Sequence, residues 1–591
     1  MRPFTGARRP APLLLPLAVS AALLPASRCV PQEGGESPMG TVLYNGIRLP
    51  QPWPPTDRQL SFEPPPLPDY LATPPAVIPI DVGRQLFVDD FLIEETTLQR
   101  TYHAARYFDG NPVLRPDQPW EQEGGPTAMV FSDGVWHDPA DGLYKMWYMG
   151  GYGRATCYAF SRDGVHWEKP QLDVVPGTNI VQTTPRDSAT VWLDLATQDP
   201  SQRYKLCTYT YPEGAGALTI WVSPDGIHWG AVGTARRERE AGSGGDAAPV
   251  DTAWRGHAAW GEPVARSGPC GDRTTVFYNP FRQVWVYSLR GGVDGLGRIR
   301  QYWEHRDLVA GASWEAGQPP LWVGADRLDP MRADLQTPCQ LYNLDCVAYE
   351  SVLLGLFSIW RGQPQDRPKP NEVVVGFSRD GFHWYRPSRE PFIPVSERQG
   401  DWNWGNVQSA GGCCLVVGDE LWFYVSGRAG EPGTPKSGVS STGLAILRRD
   451  GFASLDAGEQ RGTITTRPVR FTGRYLFVNA DADEGELRVE VLNEAGEAAE
   501  PFARRRCVPV RSDGTLLPVT WKGAEDLSAL AGQPVRLRFH LRRGSLYSFW
   551  VSPDRSGASH GYVAAGGPGF TGMTDDVGVA ALGTASTSAD R

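Results

Sequence analysis

Along most of this chain the hydrophobic residues come in short runs broken by Gly, Pro, Asn and Asp, a turn-dense β pattern rather than a helical one. Near the C-terminal end the apolar positions alternate strictly, in Leu487-Arg488-Val489-Glu490-Val491 and in Val535-Arg536-Leu537-Arg538-Phe539-His540-Leu541, the latter turning at Arg543-Gly544 into 546–551. A period of two buries one face of an antiparallel sheet against another, so residues 462–553 are predicted to form a β-sandwich. Upstream, the runs are apolar and aromatic throughout. The first set is 128–133, 143–150 and 155–161, with Asp138-Pro139-Ala140-Asp141-Gly142 as an intervening turn. The plan recurs at 189–195, 203–211 and 217–223, and again at 273–278, 284–290 and 297–305. Two further sets follow, at 345–349, 352–360 and 372–378 and at 407–417, 420–426 and 442–448.

A repeat ties these sets together. S-R-D-G-V-H-W runs from Ser161 to Trp167, S-P-D-G-I-H-W from Ser223 to Trp229 and S-R-D-G-F-H-W from Ser378 to Trp384, with weaker copies at His305 and Arg448. Their aspartates, Asp163, Asp225, Asp307, Asp380 and Asp450, stand 62, 82, 73 and 70 residues apart, room for about four strands each time. Four antiparallel strands repeated around an axis is the propeller solution to exposed sheet edges. The expected fold is therefore all-β, a five-bladed β-propeller over 81–461 followed by the C-terminal β-sandwich. Within each repeat the Asp suits a turn that accepts backbone N–H groups, Gly supplies positive φ, and Trp packs between blades. His166, His228 and His383 recur in register and read as turn or packing groups.

Composition narrows the function. Gly 67 and Pro 52 in 591 residues stay short of low-complexity disorder. A net charge of -10 without a long basic run argues against nucleic acid as a partner. Arg2, Arg8 and Arg9 precede an apolar stretch from Ala11 to Pro25 that ends in Ala26 and Ser27, the order of a signal peptide over 1–28. That stretch is too short and proline-broken to span a bilayer, no other run reaches spanning length, and the protein is expected to be secreted or periplasmic. Cys29 leaves a lipid anchor open as an alternative, with Arg28 before it departing from the small residue such sites want. The nine cysteines are scattered without a CxxC pair, so neither a disulfide framework nor a zinc site is expected. No cofactor or metal ligand is assigned, and an axial calcium ion stays open. Eleven prolines between Pro50 and Pro79 predict an extended spacer over 29–80, and the Gly-, Ala-, Ser- and Thr-rich end predicts a flexible tail over 554–591.

A five-bladed propeller followed by a sandwich resembles glycoside hydrolase family 32, and the propeller alone is similar to families 43, 62 and 68. Asn111-Pro112-Val113-Leu114 with Pro119-Trp120-Glu121 resembles the lead into their first blade, and the S-x-D-G-x-x-W strings resemble their blade turns. LFVDDFLIE (86–94), GDRTTVFYNPF (271–281), LYNLDCVAYES (341–351) and GNVQSAGG (405–412) look like runs in bacterial secreted proteins labelled family 32-like. Arg186-Asp187 resembles the Arg-Asp of the family's R-D-P motif, whose Asp steadies substrate and transition state, with Ser188 in place of the proline. The family's W-x-N-D-P-N-G nucleophile motif is missing from the first blade, where Glu121 and Glu123 are the nearest acids. Its E-C acid motif is replaced by Asp272-Arg273 in the third.

In such a fold the starts of the innermost strands converge on an axial funnel. Hydrolysis of a glycosidic bond calls for two carboxyl groups there, one protonated and one ionised. The candidates are Asp187, Asp272, Asp345, Glu350, Glu121 and Glu123. Arg186, Arg273, Tyr342, Asn343, Asp401, Asn406 and Gln408 are expected to hydrogen-bond a carbohydrate substrate, and Trp402 and Trp404 to stack on it. The expected function is a secreted glycoside hydrolase. The alternative is a carbohydrate-binding propeller without catalysis.

Overall fold

The structure is a computed structural model that describes residues 40–211, 216–230 and 261–585, so the expected signal peptide and Cys29 lie outside the described residues. The fold is all-β: a five-bladed propeller and a β-sandwich. In the first blade Ala128–Met129 and Val135–Asp138 pair with Leu143–Gly150, which pairs in turn with Ala155–Ser161 and then Ile180–Gln182. The second runs Ala189–Leu193, Tyr204–Thr210, Ala217–Ser223, Ala265–Pro269, and the third Thr275–Asn279, Val284–Val293, Gly297–His305, Leu321–Val323. Gln340–Glu350, Val352–Trp360 and Glu372–Ser378 form the fourth, with Asn406–Gln408, Leu415–Val417, Glu420–Arg428 and Ser440–Arg448 in the fifth. Blades packed on two neighbours bury both strand faces, so every residue of Tyr204–Thr210 and of Val352–Trp360 is buried, Lys205, Thr208, Thr210 and Ser358 included. In the sandwich strand Glu486–Leu492 most positions alternate between buried and partly exposed, matching its period of two.

The repeated turn folds alike in its three strong copies. Asp163, Asp225 and Asp380 each accept backbone N–H groups two and three residues on, and their second oxygens lie 2.7 Å from Nδ1 of His166, His228 and His383. Gly164, Gly226 and Gly381 take φ of 77, 79 and 87°, the left-handed region that favours glycine. These histidines are turn locks.

Where the segments fall differs from the linear division in three places. Arg106–Tyr107 pairs with Ala445 and Ile446, so the fifth blade takes its outermost strand from the other end of the chain and the ring is closed by hydrogen bonds. The sandwich likewise recruits strands from before and within the 81–461 stretch. One sheet holds Asp513–Val519, Tyr475–Asp481, Gly544–Ser552, Ala453–Ala457 and Gln99–Tyr102, with Gln85–Leu86 on the Gly544–Ser552 strand; the other holds Ile93–Thr96, Gly462–Thr466, Arg536–Arg542 and Glu486–Leu492. Within the expected spacer, Leu43, Ile47, Leu49, Tyr70, Ile78 and Ile80 are buried in the sandwich core, and Ile78–Pro79 pairs in parallel with Val469 and Arg470. Its apolar residues decide the matter over its prolines.

The expected flexible tail is instead a plug at the far end of the propeller channel. Tyr562–Val563 pairs with Tyr349 and Glu350, the Ala564 and Ala565 N–H groups donate to the Ala348 and Cys414 carbonyls, and His137 N–H donates to Ala565. Phe570 is buried there, and beside it a cavity of about 40 Å³ is lined by Trp136, Trp192 and Tyr562.

No helix among the described residues is long and apolar enough to cross a membrane. The cysteines of the described residues are free, and no cluster of three or more metal-binding side chains occurs among them.

Candidate functional site

At the open end, side chains from all five blades meet. Phe131 and Asp133 come from the bent inner strand of the first blade, where Phe131 takes φ of 52°. Arg186 precedes the inner strand of the second blade and forms a bidentate pair with Asp133, both side chains fully buried. Its Nη1 also donates to the Asp187 carbonyl at 3.1 Å, turning the Asp187 side chain toward the mouth. Arg273, just before the inner strand of the third blade, lies 2.8 Å from Asp187 and places its guanidinium 3.4 Å from the centre of the Phe131 ring and 5.7 Å from that of Tyr342. Tyr342, on the inner strand of the fourth blade, accepts from Lys369 Nζ at 2.7 Å, and Arg298 stands over its ring at 5.4 Å. From the fifth blade Arg428 reaches over Tyr152 of the first at 5.4 Å.

Beneath this mouth is a buried hydrogen-bond hub. Asn343 Nδ2 donates to Ser132, Asp345 and Ser409, and Asp345 Oδ2 also accepts the Ala410 N–H at 3.0 Å. Burial pushes the Asp345 carboxyl up to about 6 against those hydrogen bonds. Burial likewise pushes Asp133 up to about 7 against the opposing charges of Arg186 and Arg273. For the Tyr342 phenol, burial is an upward influence, but the charges of Arg273, Lys369 and Arg428 outweigh it and hold the group below its ordinary value.

The expected acids separate into different places. Asp187 and Asp272 stand at the mouth with side chains 29% and 36% exposed, Asp187 against Arg273 and Asp272 against Arg290 at 3.4 Å. Glu123 lies in the turn beside Tyr152, whose N–H donates to the Glu123 carbonyl. Asp345 is at the axis but sealed in the hub. Glu121 is fully buried in the first blade, where it accepts from Tyr148, Lys169 and the Asp117 and Gln118 N–H groups; it is a structural cap. Glu350 lies at the closed end between Arg84, Arg449 and Ser559, far from the mouth along its own strand.

The expected binding residues divide similarly. Arg273, Tyr342 and Asn343 converge as described, whereas Arg186 is spent on Asp133. Asn406 donates to the Lys369 carbonyl and Gln408 accepts from Asn371, while Asn406 Oδ1 and Gln408 Nε2 are buried without a hydrogen-bond partner. Asp401 and Trp402 belong to a separate cleft of about 700 Å³ on the fifth blade, lined also by Tyr107, Asn111 and Pro394. Asp401 pairs there with Arg398 and Ser396, and the Trp402 ring fills the slot left by Gly427 and Gly443. Trp404 is buried under the Arg367 guanidinium. Both indoles pack the blade.

Sequence reasoning missed Asp133, Tyr152, Arg298, Lys369 and Arg428. Asp133 carried a local signal, since it ends the first inner-strand run in Phe131-Ser132-Asp133-Gly134; the others sit at strand ends and loops with no motif around them.

No family model matches the chain, and no curated protein is similar to it in sequence. Among solved structures it is similar to an N-acetylgalactosamine deacetylase from F. plautii, in complex with blood group B trisaccharide, at 15% identity and a TM-score of 0.38, covering 60% of this chain and 96% of that one. A thermostable family-43 glycoside hydrolase is similar at 12% identity and a TM-score of 0.36, covering 57% and 95%. A glycosyl hydrolase from Bacteroides ovatus matches at 12% and 0.36, covering 59% and 94%. None of these likenesses assigns an activity to this chain.

Proposed function

We propose that this protein is an exported glycoside hydrolase that cleaves a poly- or oligosaccharide in the axial funnel. The observation that carries the proposal is the pair Asp187 and Asp272, which precede the inner strands of adjacent blades and reach solvent at the mouth, each positioned by an arginine of the third blade. In this scheme Asp187 presents its negative charge to the oxocarbenium-like transition state. Asp272, with the longer contact to its arginine, gives a proton to the departing glycosidic oxygen, and the water that adds at the anomeric carbon returns a proton to Asp272. Tyr342 lines the funnel below the two acids, and the fully buried Phe131, Asn406 and Gln408 support its wall. Export rests on the N-terminal charged and apolar sequence.

The test is a screen of the purified protein on a glycan panel alongside Asp187→Asn and Asp272→Asn. Each substitution is expected to lower hydrolysis by about 10²- to 10⁴-fold. Undiminished hydrolysis in both variants would overturn the assignment. A carbohydrate-binding propeller without catalysis is favoured by one observation, that both mouth carboxylates already face arginines; a wild type that binds glycans and cleaves none decides for it.

A further inference from the structure

The mouth carries more positive charge than its own acids answer. Arg273, Arg298, Lys369 and Arg428 come from three blades and gather around Tyr342, and of these only Arg273 has a carboxylate partner among the described residues, Asp187. Arg428 is 4% exposed, donates through Nη1 to Ser437 at 2.9 Å, and leaves Nε and Nη2 buried without a hydrogen-bond partner. Arg273 is 3% exposed and leaves Nε and Nη1 in the same state. Several buried arginines elsewhere face carboxylates, Arg379 facing Asp89, Arg386 facing Asp326 and Asp329 and Arg361 facing Glu372, while Arg300 meets the Ser288 hydroxyl and the Ser288 and Arg273 carbonyls. A buried guanidinium with unused N–H groups is costly unless an acceptor arrives, and the acceptor that best fits a planar fork is an oxyanion. Overall charge of -10 makes this local excess of cations a feature of the site rather than of the surface at large.

We propose that the saccharide taken by this funnel is anionic, its oxyanion, a uronate carboxylate or a sulfate ester, bound between Arg273, Arg428 and Lys369 against the Tyr342 ring. The proposal rests on the funnel being the carbohydrate site proposed above and adds the substrate class. Bound there, the oxyanion takes up the free N–H groups of Arg273 and Arg428 and balances Lys369. The sugar to which it is attached extends toward Asp187 and Asp272.

The test uses probes that differ only in charge, titrated calorimetrically into the full protein: an oligogalacturonide against its methyl ester, and a carrageenan oligosaccharide against its desulfated form. One charged probe is expected to bind at least about tenfold more tightly than its neutral counterpart, and which pair shows the difference identifies the oxyanion. Arg428→Gln and Lys369→Gln are each expected to reduce that preference by about tenfold, and the half-buried Lys369 position keeps the test open should the Arg428 variant fail to fold. Equal binding, or none, of both members in both pairs overturns the proposal, as does a preference retained in folded variants at both positions. Loss of cleavage in Asp187→Asn with the charge preference intact supports it independently of mechanism. A wild type that cleaves neutral glycans with no charge preference leaves the hydrolase standing and removes this proposal alone.

Discussion

Two arginine clusters, one at each end of the propeller, are built to opposite plans. At the closed end Arg84 and Arg449 are fully buried and meet Glu350, Asp450 and Asp575, with Arg84 Nη1 at 3.0 Å from Asp450 and Arg449 Nη2 at 3.2 and 3.0 Å from Glu350 and Asp575. Ser548, Ser559, Tyr349 and Asn479 take up further lone pairs of those acids. This network joins the fourth and fifth blades to the sandwich and to the C-terminal plug. At the open end the cations of three blades face Asp187 and one another. The same residue type thus serves two ends: where each arginine meets carboxylates from within, the arginines hold the molecule together, and where positive charge is left over, they await something from outside.

The comparison breaks most readily at the closed end. Glu350→Gln replaces the carboxylate that Arg84 and Arg449 share, and that also accepts from Ser559 and the Arg84 N–H, with an amide whose NH2 faces donors in a dry interface, and a stability loss of about 3–5 kcal/mol is expected by urea denaturation. A loss below about 1 kcal/mol would place the network among dispensable ion pairs. The next effect belongs to the buried hub under the funnel. The Asp345 carboxyl, raised in the folded state to about 6 from an unfolded value near 4, contributes stability that is full below about pH 4 and lost as pH climbs through 6. Asp345→Asn is expected to remove about 3 kcal/mol of pH dependence across that window, read as the difference between wild-type and variant denaturation curves from pH 4 to 7. Smallest is Arg428→Gln, which removes a charge that no described carboxylate answers. Its stability is expected to change by less than about 1 kcal/mol, and a loss as large as that of Glu350→Gln would erase the distinction between the two ends.

The blades were legible because their signal is local. An Asp that caps its own turn, a Gly at positive φ and a His two and three positions along these repeats interact within seven residues, so the sequence carries the whole device. The sandwich was legible where strands alternate, as in Glu486–Leu492, and illegible where it borrows Ile93–Thr96, whose polar Glu94 and Glu95 conceal a strand that pairs with Gly462–Thr466. The C-terminal plug has few large apolar residues, and that composition resembles a mobile tail. The glycines there serve close approach instead: a Cβ on Gly567 would lie 1.7 Å from the Val416 carbonyl oxygen.

The site divides on the same physical line. Asp187, Arg273 and Tyr342 lie next to inner-strand starts, so a reading of strand boundaries places them at the mouth. Glu350 lies on the same inner strand as Tyr342, but at its opposite end, and distance along one strand is enough to turn a candidate acid into part of the closed-end network. Trp402 has the composition of a sugar platform, yet Cβ atoms on Gly427 and Gly443 would stand 2.0 and 2.2 Å from its ring, so the fifth blade was shaped around it. Lys369 and Arg428 acquire meaning only when separate blades bring them to one phenol.

The most direct measurement is a crystal structure of Asp187→Asn with the tightest-binding charged oligosaccharide soaked in. The account predicts a sugar ring at the open mouth beside Tyr342, its oxyanion within hydrogen-bond distance of Arg273 and Arg428 and a glycosidic oxygen near Asp272. A sugar seated instead in the fifth-blade cleft by Asp401 and Trp402, with the mouth filled only by water, would contradict it.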